Sequence, residues 1–249
     1  MKQVSQGSGL RRFMVVGCSH GIYADPKAVE AVLDFKKWFK PHTVGHLGDF
    51  TDMSAHMGGS SGEGDAIKPD LDGGLDFLKE LGVNFVMEGN HEVRLRRDLR
   101  SSNQLRVRAA ETSLEAIEAT CLKLHALYVP YTGVWQVYKI ANYTFTHGTI
   151  YNENSARDMA EMYGNVIFAH THKPMQQIGR RIDSPVGMSV GTLTRRGAMD
   201  YANTRRSTLG WGQGFVYGEY NDNALYPSLH IHDNGEKWHL PKNLKHRSS

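Results

Sequence analysis

Cysteine is scarce in this 249-residue chain: Cys18 and Cys121 are the only two, and neither sits in a CxxC pair. Two such thiols build no disulfide framework, so the small disulfide-stapled classes are excluded and the expected location is the cytoplasm. Long apolar runs are also missing. No stretch approaches the roughly 18 residues needed to cross a bilayer, so no membrane partner is expected. The apolar residues 13–16, behind a polar N-terminal stretch, are too few for a signal-peptide core. Charge of one sign is lacking too. Lys and Arg number 29 against 26 Asp and Glu, and the net +3 does not by itself imply a nucleic-acid partner. The 40% apolar content supports a packed core, and the length fits one large domain over 1–249. Histidine, in contrast, is abundant: thirteen of them direct the search to metal chemistry.

Residues 13–17 are a short β-rich run that ends at Cys18-Ser19-His20. Asp25-Pro26 is a helix start, with a capping carboxylate and a first-turn proline. Val29, Val32, Leu33 and Phe39 then recur at helical spacing until Pro41 stops the helix. A second strand over 43–47 ends at Gly48-Asp49-Phe50-Thr51-Asp52. Residues 53–69, rich in glycine, predict a surface loop, and 70–81 predict a helix with Gly82 just past its end. A third strand over 83–87 runs into Glu88-Gly89-Asn90-His91-Glu92. Strand and helix alternating at this pitch mean parallel βαβ units, whose ligand sites lie at the carboxyl ends of strands. Residues 93–127 read as mostly helical and rich in Arg. Beyond them 134–137, 143–146 and 166–168 are strand-like; the second ends at His147, and the third leads into Ala169-His170-Thr171-His172. Short strands are expected between 186 and 231, and 242–249 reads as a basic tail that frays.

His20, Asp49, Asn90, His147, His170 and His172 are of the types that hold a pair of transition metals: imidazoles, a carboxylate that can bridge, and a neutral amide oxygen. Each falls at an expected strand end. Gly48-Asp49-x-x-Asp52, Gly89-Asn90-His91-Glu92, the lone His147-Gly148 and Ala169-His170-x-His172 together resemble the calcineurin-like metallophosphoesterase family over roughly residues 13–175. The run from Glu88 to Leu95, with Trp211-Gly212-Gln213-Gly214-Phe215, is more loosely similar to bacteriophage members, which would place the protein in a host cytoplasm.

The resemblance implies an α/β sandwich with mixed central sheets flanked by helices. It also implies two divalent transition-metal ions, Mn, Zn or Fe. His20, Asp49 and His172, with residue 18, would hold the first ion; Asn90, His147 and His170 would hold the second, and Asp49 would bridge. His91 would be general acid or charge stabiliser, oriented by Asp52, and Asn90, His91 and Arg94 would contact substrate. Two ions about 3.5–4 Å apart clamp a phosphate and acidify water, and an imidazolium suits protonation of the leaving oxygen. The chain departs from the family at its opening, where Asp-x-His is Cys18-x-His20. Cys18 is read either as a thiolate ligand, favouring Zn or Fe, or as a small buried residue beside a weak first site. Ala169 replaces the usual glycine, which disfavours a positive φ there.

Plainer readings apply elsewhere. His42, His46, His56, His125, His230, His232, His239 and His246 read as core or surface histidines. Arg94, Arg96, Arg97, Arg100, Arg106 and Arg108 read either as an electropositive rim for a phosphate backbone or as a solvated face paired with Asp98, Glu111, Glu115 and Glu118. Arg180/Arg181, Arg195/Arg196 and Arg205/Arg206 have no assigned place. Trp211, Phe215 and Tyr217 read as core or interface ahead of the alternative, platforms on which bases stack. The loop over 58–64 lacks the GK[ST] of a phosphate-binding loop. The expected activity is hydrolysis of phosphate esters, with a nucleic-acid or nucleotide phosphodiester (DNA or RNA) as the leading substrate. Two alternatives stand beside it: a phosphomonoesterase acting on phosphoproteins or small molecules, and a degenerate binding module lacking one metal. The oligomeric state is left open.

Overall fold

The computed structural model describes residues 9–57, 67–199, 206–233 and 237–242. Its first half alternates strand and helix: β1 (Arg11–Val16), α1 (Pro26–Phe39), β2 (Thr43–His46), α2 (Ile67–Leu81), β3 (Phe85–Met87), α3 (Val93–Asp98), α4 (Gln104–Lys123) and β4 (Leu127–Val129). The second half adds β5 (Tyr138–Ile140), β6 (Tyr143–Thr146), α5 (Ser155–Tyr163), β7 (Val166–Phe168), β8 (Pro174–Ile178), β9 (Val186–Val190), β10 (Gly214–Tyr220) and β11 (Leu225–Ile231). Asp25 caps α1 by accepting from the Lys27 amide at 3.0 Å, and Pro26 opens the helix.

Two mixed sheets form. The first has the order β11-β10-β1-β2-β3-β4 and the second β5-β6-β7-β9-β8. β1 through β4 are parallel, as are β6, β7 and β9; β10, β11, β5 and β8 run antiparallel to their neighbours. Both faces of β1 are buried, and its side chains alternate accordingly. Phe13 and Val15 join Phe85, Phe145, Ile167 and Val216 between the sheets, while Met14 and Val16 join Val32, Phe35, Leu78 and Ile117 under α1, α2 and α4. On the far side Met159 and Ala160 of α5 pack on Val166 and Phe168 of β7. The layers are therefore helix, sheet, sheet, helix, the mixed α/β sandwich expected.

The sheets meet closely just past β1. A Cβ on Gly17 would lie 2.6 Å from the Cβ of Ala169, so the methyl at 169 occupies space that only glycine at 17 leaves. Ala169 is buried without a positive φ, so the replacement noted in the sequence costs no backbone strain.

Some sequence expectations need correction. Residues 134–137 are not a strand. Gly133, at φ +62°, opens a 3₁₀ turn over Gly133–Trp135, and Gln136 turns its amide inward. The sequence pattern marks neither β4 nor β8: β4 begins at Leu127, the last residue of the stretch that reads as helical, and β8 is an edge strand that opens on proline, a position where the missing N–H is tolerated. α2 begins at Ile67, and Met53 and His56 are buried instead of lying on a surface loop. Residues 58–66, Arg205, His246 and most of the basic tail lie outside the described residues; Lys242 itself pairs with Asp34 at 2.9 Å.

Candidate metal centre

The strand ends converge as the parallel topology requires. Cys18 and His20 follow β1, Asp49 follows β2 and Asn90 follows β3, all in the first sheet. His147 follows β6, and His170 and His172 follow β7, in the second. Among the described residues three groups of potential ligand atoms each lie within 4.8 Å of one another: Cys18, His20, Asp49 and His172; Asp49, His147 and His170; and His20, Asp52 and His91. Asn90 joins the second group, its Oδ1 2.9 Å from His147 Nε2 and 2.7 Å from His170 Nδ1. Asp49 is common to the first two.

Donor chemistry tests whether cations fit. The Leu47 carbonyl accepts from His147 Nδ1 at 2.7 Å, which commits that nitrogen's proton. In the neutral ring Nε2 then presents a lone pair, facing the lone pairs of Asn90 Oδ1 and of Asp49 Oδ2 at 3.3 Å. His20 repeats the pattern. Its Nδ1 donates to Asp52 Oδ1 at 3.0 Å, and its Nε2 lies 2.9 Å from His172 Nε2 and 3.8 Å from Asp49 Oδ2. His172 Nδ1 is buried without a hydrogen-bond partner. The acceptors around His147 face one another bare, and bare acceptors in a buried space need positive charge between them. Histidines oriented through their outer nitrogens by a carboxylate or a carbonyl are also the usual support of a metal site. The residues fit a pair of transition-metal ions.

Burial and neighbouring charge set how the donors titrate. Burial holds the His20, His170 and His172 pKa values below the ordinary imidazole range. Burial also lowers that of His147, but the facing Asp49 carboxylate outweighs it and the net shift is upward. The Cys18 thiol is pushed well up by burial and then by Asp49; it accepts from the His170 amide at 3.2 Å, and its Sγ lies 4.0 Å from Asp49 Oδ2. A bound cation would draw off that proton. The backbone is strained. Cys18, His20, Asp49, His170 and His172 all take left-handed φ between 53° and 65°. Such non-glycine residues cost of order 1–3 kcal/mol each and cluster at functional sites.

Carboxylates outside the donor set hold the loops. Glu92 accepts from the amides of Gly89 (2.7 Å), Asp49 (3.0 Å) and Thr51 (2.9 Å) and from the Thr51 hydroxyl, which ties the second loop to the third. Asp70, on α2, accepts from the amides of Asp52 and Met53. Asp52 serves two histidines: its Oδ1 lies 3.0 Å from His20 Nδ1 and 3.2 Å from His91 Nδ1. The closer partner of His91 Nδ1 is the Asp52 carbonyl at 2.7 Å, which also accepts from Arg94 Nη1 at 2.6 Å. Burial lowers the His91 pKa, but Asp49 and Asp52 outweigh it and the net shift is upward.

All seven expected ligands thus lie together, with His91, Asp52 and Arg94 beside them. The arginine series divides: Arg94 reaches the centre, Arg96 pairs with buried Glu88, Arg106 with Asp98 and Arg108 with Glu111. Phe215 and Tyr217 are core, as read, but Trp211 lies against His172, ring centroids 4.1 Å apart. Tyr131 and Gln136 went unnoticed in the sequence. The Tyr131 ring is 5.9 Å from that of His147, and the Gln136 Oε1 accepts from the His147 amide at 3.1 Å. No motif marks either one. Glu92 was visible as part of Gly89-Asn90-His91-Glu92, but its cradle of amides was not.

No curated protein matches the chain. Solved structures similar to it include a Vps29 from Entamoeba histolytica (15% identity, 90% of this chain and 94% of that one, TM-score 0.45). Others are an archaeal phosphodiesterase (13%, 88% and 99%, TM-score 0.44) and the phosphoesterase Yfce from E. coli (17%, 88% and 98%, TM-score 0.40). The family model for calcineurin-like phosphoesterases matches residues 11–196 and so takes in every strand end that carries a donor. On that match the chain belongs to the calcineurin-like phosphoesterase family.

Proposed function

We propose that this metal-dependent phosphoester hydrolase cleaves phosphodiesters of nucleic acid or nucleotides. Cys18, His20, Asp49 and His172 would hold one ion and Asn90, His147, His170 and Asp49 the other, with both sheets contributing to one centre in a single domain. When bound, a pair of divalent cations stabilises phosphoryl charge and acidifies water. The remaining work falls to the chain. His91 has its Nδ1 committed to Asp52, so Nε2 is the nitrogen available to substrate. Arg94 Nη2 lies 3.4 Å from it. Imidazole and guanidinium thus form a donor pair that can hold one phosphate oxygen and protonate the leaving one.

The observation that favours a diester is the pair of aromatic faces beside the centre. Trp211 lies against His172, and Tyr151, 72% exposed, has its ring 6.1 Å from that of His170. A monoester has one organic arm to place; a nucleoside diester has two, each with a base that stacks on such rings at about 1–3 kcal/mol per base. The metal-loaded protein is expected to cleave bis(p-nitrophenyl) phosphate and single-stranded DNA. Cleavage of p-nitrophenyl phosphate alone would refute the diesterase reading.

A further inference from the structure

A surface cavity of about 550 Å³ opens along α3, lined by Val93, Arg96, Arg97, Asp98, Arg100 and Ser101. We infer that it is a subsite for the phosphates of a nucleic-acid strand on one side of the scissile bond; this rests on the nucleic-acid reading above. Its guanidiniums are held in place. Arg96 Nε spans both oxygens of the buried Glu88 carboxylate at 2.6 and 2.9 Å, and Arg97 Nη2 donates to the His56 carbonyl. A guanidinium has five N–H donors, so an arginine fixed through one edge still offers others to a ligand, with little side-chain freedom left to lose.

The one carboxylate in the wall does not oppose an anion. Asp98 Oδ2 is occupied by His56 Nδ1 and by Arg106, each at 2.8 Å. Arg100 is exposed and has no ion partner among the described residues. Arg96, Arg97, Arg100 and Arg106 therefore stand against Glu88 and Asp98, and the cleft is net positive.

Placement points to a strand rather than a single anion. Arg94, beside His91, Arg96 and Arg97 lie on α3, and Arg100 follows two residues past its end, so one run of chain carries guanidiniums from the centre into the cleft. Planar guanidiniums in series match phosphodiesters in series, and phosphate contacts of this kind set register without reading sequence.

The test uses the full chain with its metals and a fluorescein-labelled, phosphorothioate-linked single strand of about 12 nucleotides, which resists hydrolysis. Anisotropy is followed between about 50 and 200 mM salt, where phosphate contacts dominate. Arg100→Glu is expected to weaken binding about tenfold at the lower salt and to flatten the slope of log K against log salt by about 0.7 for each phosphate no longer neutralised. Turnover of bis(p-nitrophenyl) phosphate should match wild type. Three results would overturn the subsite: unchanged binding in the variant, equal loss of the small-substrate turnover, or equally tight competition by an acidic phosphopeptide. If the wild type binds the strand through Arg100 but hydrolyses no diester, the subsite stands and the hydrolytic reading alone fails.

Discussion

Single side chains carry the sharpest consequences. His91→Ala removes the available Nε2 without touching a donor, so turnover should fall roughly 10²–10⁴-fold while metal content by elemental analysis stays at the wild-type value. Loss of metal would mean that His91 is a ligand. For Cys18, replacement by Ser should lower occupancy of the first site, and Cys18→Asp should shift preference toward Mn, because a thiolate favours softer ions than a carboxylate does. Unchanged metal content and preference in both variants would make the thiol a spectator. His46 supplies a pH test. The Gly48 amide donates to its Nδ1 at 3.2 Å, so the neutral ring carries its proton on Nε2, facing the Ser19 hydroxyl at 3.1 Å. Burial lowers its pKa from 6.5 to about 3. The unfolded chain therefore takes up a proton in that window that the folded chain refuses. The stabilising contribution is whole above pH 6.5 and is lost as pH falls toward 3, by about 1.4 kcal/mol per pH unit at most. The stability gap between wild type and His46→Gln, from urea midpoints, should narrow over that range; a constant gap would contradict the assignment. No sequence pattern distinguishes a buried imidazole such as His46 from a metal ligand.

Among elements, the helices act as brackets for the loops. Asp70, in the first turns of α2, holds the amides of Asp52 and Met53, while Arg94 and Arg97 of α3 hold the carbonyls of Asp52 and His56. The loop that orients His20 and His91 is thus gripped from both sides. Asp70→Ala leaves two buried N–H groups without an acceptor, at about 1–3 kcal/mol each. It should lower kcat more than it lowers metal content, and Asp70→Asn, which keeps an acceptor oxygen, should recover part of the loss. Equal activity in Asp70→Ala would show the bracket to be dispensable. The helices bounded by Asp25-Pro26 and Gly82 were legible because capping chemistry is local. The start of α2, β4, β8 and the turn at Gly133 were not, since each is decided by neighbours distant in sequence. Trp211 shows the same limit: an aromatic among glycines does not reveal whether it faces the core or a histidine.

For the whole molecule, the two sheets share one centre but supply different donors, so cations would clasp the sandwich together. Chelation should therefore lower the melting temperature by an amount that tracks free metal concentration, as binding to the folded state alone requires. The contact between Gly17 and Ala169 tests the same junction by packing. Gly17→Ala should cost about 1–3 kcal/mol through overpacking, and Ala169→Gly in the same chain should recover most of it; additive losses would place the clash elsewhere. The convergence of strand ends was readable from the order of motifs, because parallel topology leaves few other meeting places. The left-handed turns under five of the donors were not readable, since nothing about Cys, His or Asp announces a positive φ. That feature bears on anyone borrowing the centre for another scaffold. Copying the side chains onto ordinary extended strand ends would aim them in the wrong directions, so a transplant must carry the coiled main chain along with its residues.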